Sequence, residues 1–198
     1  MNNQLFEQLN LDEEHTIFLC ETHQDFKISV EAFKQIWNLH PLEYHTLKIH
    51  GKELKTPRWQ QAYGKNYRYT GAQNNALPIP PLLEPYLFWC QQYVHQRLNG
   101  LLLNWYDGRK QHYIGAHRDD TRDLIKDIPI VTISLGEDRT FRMRPWKQRG
   151  YKDLTVKHGD VLVIPWETNL KYTHEVPAFK KFVGKRISIT LRAYSDKN

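Results

Sequence analysis

The sequence predicts a mostly β protein, with helices in its N-terminal half and a jelly-roll-like sandwich or barrel in its C-terminal half. After residue 100, six short segments have strand-like patterns and are separated by turn residues. Before residue 100, two segments have the apolar spacing of helices. The 198 residues suit one compact domain, which we divide into an N-terminal extension, 1–99, and a core, 100–198.

The N-terminal half begins with a short predicted strand at residues 16–20. Ser29 is a typical N-cap residue and precedes apolar residues at helical spacing, which predicts a helix that ends before Pro41. A second helix is predicted over residues 82–98, because a proline-rich stretch precedes it and an Asn-Gly pair follows it.

A ribbon and a short extended piece lie between the two predicted helices. Residues 44–54 alternate and contain a glycine, which predicts a two-stranded ribbon with its tip at 49–52. Tyr67 and Tyr69 then share one face of an extended piece. The predicted strands of the core cover residues 101–106, 128–135, 139–144, 154–156, 160–166 and 186–194.

The composition limits the class of protein and its surroundings. Lys and Arg number 28 against 22 Asp and Glu, and this net charge of +6 favours a polyanionic partner without proving one. A hydrophobic fraction of 40% excludes a disordered or collagen-like chain. We expect no membrane span, because no apolar run approaches roughly 20 residues. Two cysteines make no disulfide framework, so we expect a protein inside the cell, in the cytoplasm of a prokaryote or the nucleus of a eukaryote. We also expect a monomer.

A candidate metal site follows from the spacing of His117 and Asp119. Residues i and i+2 of an extended segment point the same way, so both side chains can reach one ion. His174 is the best candidate for a third ligand, because it lies between the last two predicted strands. Two histidines and one carboxylate form the facial triad of non-haem Fe(II) oxygenases, which leaves coordination positions open for an oxoacid and dioxygen.

The last predicted strand adds an anion site. It alternates strictly, so Arg186, Ser188, Thr190 and Arg192 share one face and apolar residues line the other. Two arginines on an inner face are costly unless anions meet them, and a dicarboxylate co-substrate would supply two. The alternative is an outward polar face with exposed arginines.

Several further motifs accompany these residues. In chain order, the set is Gly51-Lys52, Thr56-Pro57-Arg58, Ala62-Tyr63-Gly64, Asn104-Trp105-Tyr106, His117-Arg118-Asp119-Asp120, the segment 129–136, His174 and the Arg186 to Arg192 strand. Taken together, these motifs resemble the AlkB family of Fe(II)- and 2-oxoglutarate-dependent dioxygenases over residues 40–194. Within that family, the chain is most similar to the animal-type members that act on duplex DNA. The resemblance implies a double-stranded β-helix core with a nucleotide-recognition ribbon.

The resemblance also implies roles for the core residues, with Fe(II), 2-oxoglutarate and O2 as cofactor and co-substrates. The iron ligands are His117, Asp119 and His174. The residues of the 2-oxoglutarate pocket are Asn104, Tyr106 and Arg186 at the far carboxylate, Arg192 near the metal-chelating carboxylate, and Thr190 beside it.

On the substrate side, the resemblance implies that Tyr67 and Tyr69 form the wall of a pocket for a flipped base, and that Asp120 reads the exocyclic amine of that base. The ribbon tip, His50 and Gly51, lies where relatives push an aromatic wedge into the base stack. The cations expected to hold nucleic-acid phosphates around the ribbon are Lys48, Lys52, Lys55, Arg58 and Arg68. The departures from the family pattern are His50 at the wedge, Thr121 at a second base-reading position, and Ser188 in place of an asparagine.

The resemblance therefore implies an oxidative demethylase that repairs 1-methyladenine and 3-methylcytosine in single- or double-stranded DNA, with release of formaldehyde, succinate and CO2. Three alternatives remain open at this point. The first is the same chemistry directed at RNA or at a substrate that is not a nucleic acid. The chain could instead be a non-catalytic nucleic-acid-binding relative, or the triad could hold zinc for hydrolysis.

Overall fold

The fold consists of two antiparallel sheets packed face to face, with two helices on the outer side of the larger sheet. The computed structural model describes residues 4–21, 23–49, 52–69 and 72–196. The strands of this part of the chain are β1 Glu7–Asn10, β2 Thr16–Cys20, β3 Thr46–Ile49, β4 Lys52–Lys55, β5 Trp59–Tyr63, β6 Tyr67–Tyr69, β7 Ala72–Asn74, β8 Gly100–Asp107, β9 Ile114–His117, β10 Ile130–Gly136, β11 Arg139–Pro145, β12 Lys152–Val156, β13 Val161–Ile164, β14 Tyr172–Val176 and β15 Lys185–Arg192. The α-helices are α1 Val30–Trp37, α2 Glu84–Tyr93 and α3 Trp166–Lys171.

The order of strands in the two sheets is that of a jelly roll. The larger sheet has the order β1-β2-β13-β10-β15-β8-β5, and the smaller sheet has the order β12-β11-β14-β9. The eight strands from β8 to β15 are divided equally between the two sheets, four to each, and adjacent strands within each sheet are antiparallel. This arrangement is a double-stranded β-helix, so the predicted fold class is confirmed.

The N-terminal part of the chain contributes directly to the larger sheet. Strands β1 and β2 extend one edge of the sheet, and β5 pairs with β8 at the other edge. The larger sheet therefore draws strands from both sides of residue 99. The ribbon β3–β4 and the pair β6–β7 form separate two-stranded sheets, at the positions predicted for the recognition ribbon and the tyrosine segment.

Strand β15 shows how the two faces of the larger sheet differ. Ile187, Ile189 and Leu191 are fully buried in the apolar cluster that also contains Ile36 of α1 and Leu87 of α2. Arg186, Ser188, Thr190 and Arg192 lie on the opposite face, between the sheets, and they are also buried. The alternation predicted from the sequence is confirmed, and the arginines face inward rather than toward solvent.

The start of α1 has a local cause, and several predicted element boundaries differ from the observed ones, most clearly for α2 and β13. The Ser29 hydroxyl accepts a hydrogen bond from the Ala32 N–H at the start of α1, as its N-cap position predicts. Helix α2 covers less than the predicted 82–98, although Leu98 beyond its end is fully buried. The predicted strand 160–166 ends at Ile164, and the short helix α3 follows it without a side-chain cap.

Gly136 at the end of β10 is required by both its backbone angle and its surroundings. Its φ is +95°, and a Cβ there would overlap the Lys185 carbonyl oxygen. Gly150 has a φ of +94°, but a Cβ there would meet no heavy atom of the described residues within 4 Å. Alanine would therefore strain the backbone at either position, but its Cβ would overlap neighbouring atoms only at residue 136.

We expect Gly150→Ala to lower the free energy of unfolding by about 1–3 kcal/mol, the cost of an unfavourable backbone angle. Gly136→Ala should lower it by more, because the Lys185 main chain must also move. Urea unfolding of both variants beside the wild type measures the difference. Equal losses in the two variants would contradict the overlap argument.

Candidate metal centre and co-substrate pocket

The structure brings together the three side chains predicted as metal ligands. His117 ends β9 and is the cross-strand neighbour of His174 in β14, while Asp119 follows β9 in a loop. One ligand atom from each of the three residues lies within 4.8 Å of the other two. A ligand set drawn from a strand pair and the adjoining loop is therefore in place between the sheets.

Asp119 is buried, and one of its carboxylate oxygens is left for a metal. Oδ1 accepts hydrogen bonds from Arg192 Nη2 at 2.7 Å and from the Tyr67 hydroxyl at 3.2 Å. Within the described part of the chain, no group hydrogen-bonds Oδ2. Burial would raise the pKa of Asp119, but the Arg192 guanidinium beside it lowers that pKa well below its usual value. The carboxylate is therefore ionised, with a free lone pair on Oδ2.

Both histidines are held in the neutral form that metal binding requires. Burial, the largest effect, lowers the pKa of His117, and it lowers the pKa of His174 to about 3 with help from the neighbouring His117 ring. His117 Nδ1 lies 2.9 Å from the Gly115 carbonyl oxygen, to which it donates, so its Nε2 carries a lone pair. His174 stacks on Phe141 with 5.5 Å between ring centroids, which fixes the plane of the imidazole.

The donor set fits Fe(II). Buried polar atoms are almost always hydrogen-bonded, yet Asp119 Oδ2 and His174 Nδ1 are buried without a partner among the described residues. Two imidazole nitrogens and one carboxylate oxygen occupy three positions around an ion and leave the others open, which is the ligand pattern of non-haem Fe(II) oxygenases.

A polar pocket beside this centre is lined by the residues predicted to hold the oxoacid. Arg186 is 1% exposed, donates from Nε to Ser134 Oγ at 2.9 Å, and has a buried Nη1 with no partner among the described residues. Burial lowers the pKa of Arg186, which marks a cation that lacks a compensating anion. The pocket lining includes Asn104, Tyr106, Thr132, Arg186, Ser188, Thr190 and Arg192.

Arg58 is placed differently from its prediction. It was expected to hold phosphate at the surface, and this is wrong, because the side chain is only 5% exposed. Its Nε donates to Asn104 Oδ1 at 2.7 Å and its Nη2 donates to Gln60 Oε1 at 3.1 Å. Arg58 thus lines both the co-substrate pocket and the cavity next to it.

This adjacent cavity has a volume of about 650 Å³ and contains the predicted base-binding residues. The rings of Tyr67 and Tyr69 stack with 5.1 Å between centroids, and both residues line the cavity with His117 and Asp120. Tyr67 also donates to Asp119, so it contacts the metal centre as well as the cavity. The ribbon closes one side of the cavity through Leu47 and Leu54, a cross-strand pair.

Asp120 is held as a carboxylate by Arg122. The two side chains form a bidentate ion pair, and the Arg122 N–H also donates to Asp120 Oδ1. The hydrogen bonds from Arg122 are the main cause of the lowered pKa of Asp120. Asp120 can therefore accept but not donate a hydrogen bond at neutral pH.

The predicted residues of the ribbon are only partly covered by the structure. Lys52 is exposed at the start of β4, where it can reach an external polyanion. Lys55 lies 3.4 Å from Glu43 in a largely exposed pair, and Arg68 lies 3.7 Å from Asp123 in a pair that is only partly exposed. His50 and Gly51 lie outside the described residues, so the wedge stays a prediction.

Sequence reasoning missed several residues that shape the site. Ser134 could have been found, because Thr132 and Ser134 alternate with apolar residues in β10 and therefore share its inner face. Gln60, which lies between Arg58 and the Tyr69 hydroxyl, gave no such signal, and neither did Asn169, which hydrogen-bonds the main chain of Asp119.

Comparison with known proteins places this site in a family. The profile of the 2OG-Fe(II) oxygenase superfamily matches residues 20–192, which include every residue of the centre and the pocket. The protein belongs to this superfamily. Its members are named for 2-oxoglutarate and Fe(II), so the cofactor predictions, Fe(II), 2-oxoglutarate and O2, are confirmed at the level of the family.

Individual relatives confirm the resemblance to AlkB proteins. The oxygenase is 31% identical over 202 residues to the DNA oxidative demethylase ALKBH2 of Bos taurus, covering 94% of this chain and 69% of that one. It is 30% identical over 198 residues to the DNA oxidative demethylase ALKBH2 of Homo sapiens, covering 92% and 73%. The solved structure of OsALKBH1 covers 95% of this chain with a TM-score of 0.60 and 17% identity, which supports the fold alone.

Metal binding can be tested without any assumption about the substrate. Mn(II), a redox-stable probe, at 100 times its Kd should raise the free energy of unfolding by about 2.7 kcal/mol in the wild type. His117→Ala should lose this gain, because it removes one of three ligands, whereas His95→Ala, beyond the end of α2, should keep it. Urea unfolding with and without Mn(II) provides the measurement. An undiminished gain in His117→Ala would place the metal elsewhere.

Proposed function

We propose that this oxygenase is an Fe(II)- and 2-oxoglutarate-dependent oxidative demethylase that repairs N-alkylated bases in nucleic acid. The observation that carries the proposal is that three potential metal ligands, His117, Asp119 and His174, lie beside the buried cation Arg186. Asp119 Oδ2 and His174 Nδ1 lack partners among the described residues, and so does Arg186 Nη1 in the adjoining pocket. A metal would satisfy Asp119 Oδ2, and a dicarboxylate would satisfy Arg186 Nη1.

The chemistry requires a cofactor, because a methyl group on a base ring nitrogen resists hydrolysis and no side chain oxidises a C–H bond. Bound iron with 2-oxoglutarate and dioxygen supplies that oxidation, so the methyl carbon is hydroxylated and then lost as formaldehyde, while the oxoacid becomes succinate and CO2. The contribution of the protein is to hold each reactant. His117, Asp119 and His174 bind the metal in this proposal, and Arg192 keeps Asp119 ionised.

The co-substrate is held by the buried polar face of β15 and its neighbours. Arg186 donates its free Nη1 to the far carboxylate of 2-oxoglutarate, and Tyr106 and Asn104 complete that end of the pocket. Arg192 lies near the carboxylate that chelates the metal, and Thr190 lines the wall between the two arginines. Charge-assisted hydrogen bonds of this kind select a dicarboxylate over a smaller oxoacid.

The base pocket favours bases with an exocyclic amine. Asp120 is an ionised acceptor, so it pairs with the amine of 1-methyladenine or 3-methylcytosine and repels the carbonyl of a keto base. Tyr67 and Tyr69 offer an aromatic wall, and stacking on such a wall contributes about 1–3 kcal/mol per base. That gain offsets part of the cost of taking the base out of a duplex.

The polymer partner in this proposal is DNA, single- or double-stranded, with RNA as the alternative. The relatives named DNA oxidative demethylase support DNA, and the net charge of +6 with the exposed Lys52 of the ribbon supports a phosphate backbone. A monomer that works inside the cell stays a prediction. No helix in the described ranges is long and apolar enough to span a membrane.

The competing functions leave parts of the site without a purpose. A nucleic-acid-binding protein without catalysis has no need for a metal-ready triad beside an unpaired buried arginine. A zinc hydrolase accounts for the triad but not for Arg186, because hydrolysis of a bound substrate needs no dicarboxylate. An oxygenase acting on another type of substrate would account for the triad and the arginine. It would not account for the paired tyrosines and Asp120 around the cavity.

The proposed activity is measured with Fe(II), ascorbate and 2-oxoglutarate on 3-methylcytosine in single-stranded DNA, duplex DNA and RNA. We expect formaldehyde and repaired cytosine in equal amounts on at least one DNA substrate, and none with unmodified cytosine or with His117→Ala. If none of the three polymers is repaired and no succinate forms from 2-oxoglutarate, the proposal is refuted. Turnover on RNA alone would move the partner from DNA to RNA.

The co-substrate assignment has its own prediction. Arg186→Met keeps much of the side-chain volume but removes the charge, so the KM for 2-oxoglutarate should rise by about 30-fold or more, as for a buried charge that loses its partner. Arg122→Met should leave that KM unchanged and alter the KM for the methylated oligonucleotide. An unchanged KM for 2-oxoglutarate in Arg186→Met would show that the dicarboxylate lies elsewhere.

A further inference from the structure

Asn169 has an unusual pair of contacts next to the proposed metal centre. It lies in α3 and is 0% exposed. Its side-chain amide makes two hydrogen bonds to the main chain of Asp119. The Asp119 N–H donates to Asn169 Oδ1 at 3.0 Å, and Asn169 Nδ2 donates to the Asp119 carbonyl oxygen at 3.1 Å. Both ends of the amide are thus used on a single residue.

These contacts do for Asp119 what a neighbouring strand does for a residue within a sheet. Strand β9 ends at His117, so Asp119 has no partner in a strand ladder, although it is only 4% exposed. Buried main-chain donors and acceptors must be satisfied, and an asparagine amide presents one acceptor and one donor at a suitable separation. Asn169 therefore fixes where the Asp119 backbone lies and the direction from which its side chain leaves.

We propose that Asn169 is a positioning residue for the metal-binding carboxylate. By holding the Asp119 main chain, it directs Oδ2 toward His117 and His174, while Arg192 and Tyr67 hold Oδ1. This inference rests on the proposed function, because it gives Asn169 a role only if Asp119 binds a metal.

The helix that carries Asn169 also connects two parts of the ligand set. Helix α3 ends at Lys171 and β14 begins at the next residue, so one continuous segment positions Asp119 through Asn169 and supplies His174 as a ligand. The helix also contacts β2, where Thr168 Oγ1 donates to the Thr16 carbonyl oxygen at 2.7 Å. The two hydrogen bonds of Asn169 are therefore the direct link between the His-x-Asp loop and the segment that supplies the second histidine.

The expected effect is on metal affinity. Replacing residues that orient metal ligands commonly reduces metal affinity by 10–100-fold, and we expect Asn169→Ala to raise the Kd for Mn(II) by about that factor. Asn169→Asp is a subtler change of nearly the same shape. Its carboxylate can still accept from the Asp119 N–H, but it cannot donate to the carbonyl, so we expect a loss of the same sign.

Two variants in the same helix serve as matched controls. Thr168→Val is nearly isosteric and removes the bond between α3 and β2, so it loosens the helix without touching Asp119. Glu167→Gln changes an exposed side chain in the first turn. We expect both controls to keep the wild-type Kd for Mn(II), even where Thr168→Val lowers the free energy of unfolding.

The test combines calorimetric Mn(II) titration of the full chain with amide hydrogen exchange of Asp119 in metal-free protein. Support would be a protected Asp119 amide in the wild type, faster exchange of that amide and a 10–100-fold higher Kd for Mn(II) in Asn169→Ala, a raised Kd in Asn169→Asp, and a wild-type Kd in both controls. An unprotected wild-type amide would overturn the inference, and so would a wild-type Kd in folded Asn169→Asp or an equal rise in Thr168→Val. If Asn169→Ala does not fold, the Mn(II) titration of Asn169→Asp tests the inference instead.

The same experiment separates this inference from the proposed function. A wild-type protein that binds Mn(II) tightly but shows no demethylation would leave the role of Asn169 standing while the substrate proposal fails. A wild-type protein that binds no Mn(II) would refute the metal centre and the positioning role together, and the exchange of the Asp119 amide would then report only a structural contact.

Discussion

The buried ion pair between Asp119 and Arg192 is the interaction on which the rest of the site depends. Its atoms lie 2.7 Å apart, and the two side chains are 0% and 3% exposed. A lone carboxylate at this depth would take up a proton, and a lone guanidinium would be costly to bury. Together they keep Asp119 ionised with Oδ2 free, which is the condition for binding a metal. Because Arg192 is also on the strand that carries Arg186, the ion pair ties the metal centre to the co-substrate pocket.

The jelly roll explains why these groups meet. Arg186 and Arg192 point inward from β15, in the middle of the larger sheet, while His117 and His174 are neighbours in the smaller sheet opposite. The pocket is the space between the two sheets where polar residues replace the apolar core. Elsewhere between the sheets, Phe141, Met143 and Ile164 fill that space and give the site rigid walls. The N-terminal ribbon and the tyrosine pair then add a second cavity on the open side of the metal centre.

Much of this arrangement follows from patterns that can be read in the sequence. Strict alternation in residues 186–192 placed the arginines on one face, and the His-x-Asp spacing placed two ligands together. Arg58 could not be assigned correctly, because its burial depends on β5 pairing with β8, and the WQQAY sequence of β5 does not alternate. Helix α3 was missed because it is six residues long and has no side-chain cap, and Asn169 was missed with it. Contacts between residues 50 positions apart, such as Asn169 with Asp119, leave no local pattern.

The central claim is that three side chains bind one metal and that a buried arginine faces the dicarboxylate beside it. The most direct measurement is a crystal structure of the protein grown without oxygen in the presence of Fe(II) and 2-oxoglutarate. The account predicts one iron bound by His117, Asp119 through Oδ2, and His174, with 2-oxoglutarate chelating that iron and its far carboxylate at Arg186. An iron with a different protein ligand set, or an oxoacid bound away from Arg186, would contradict it.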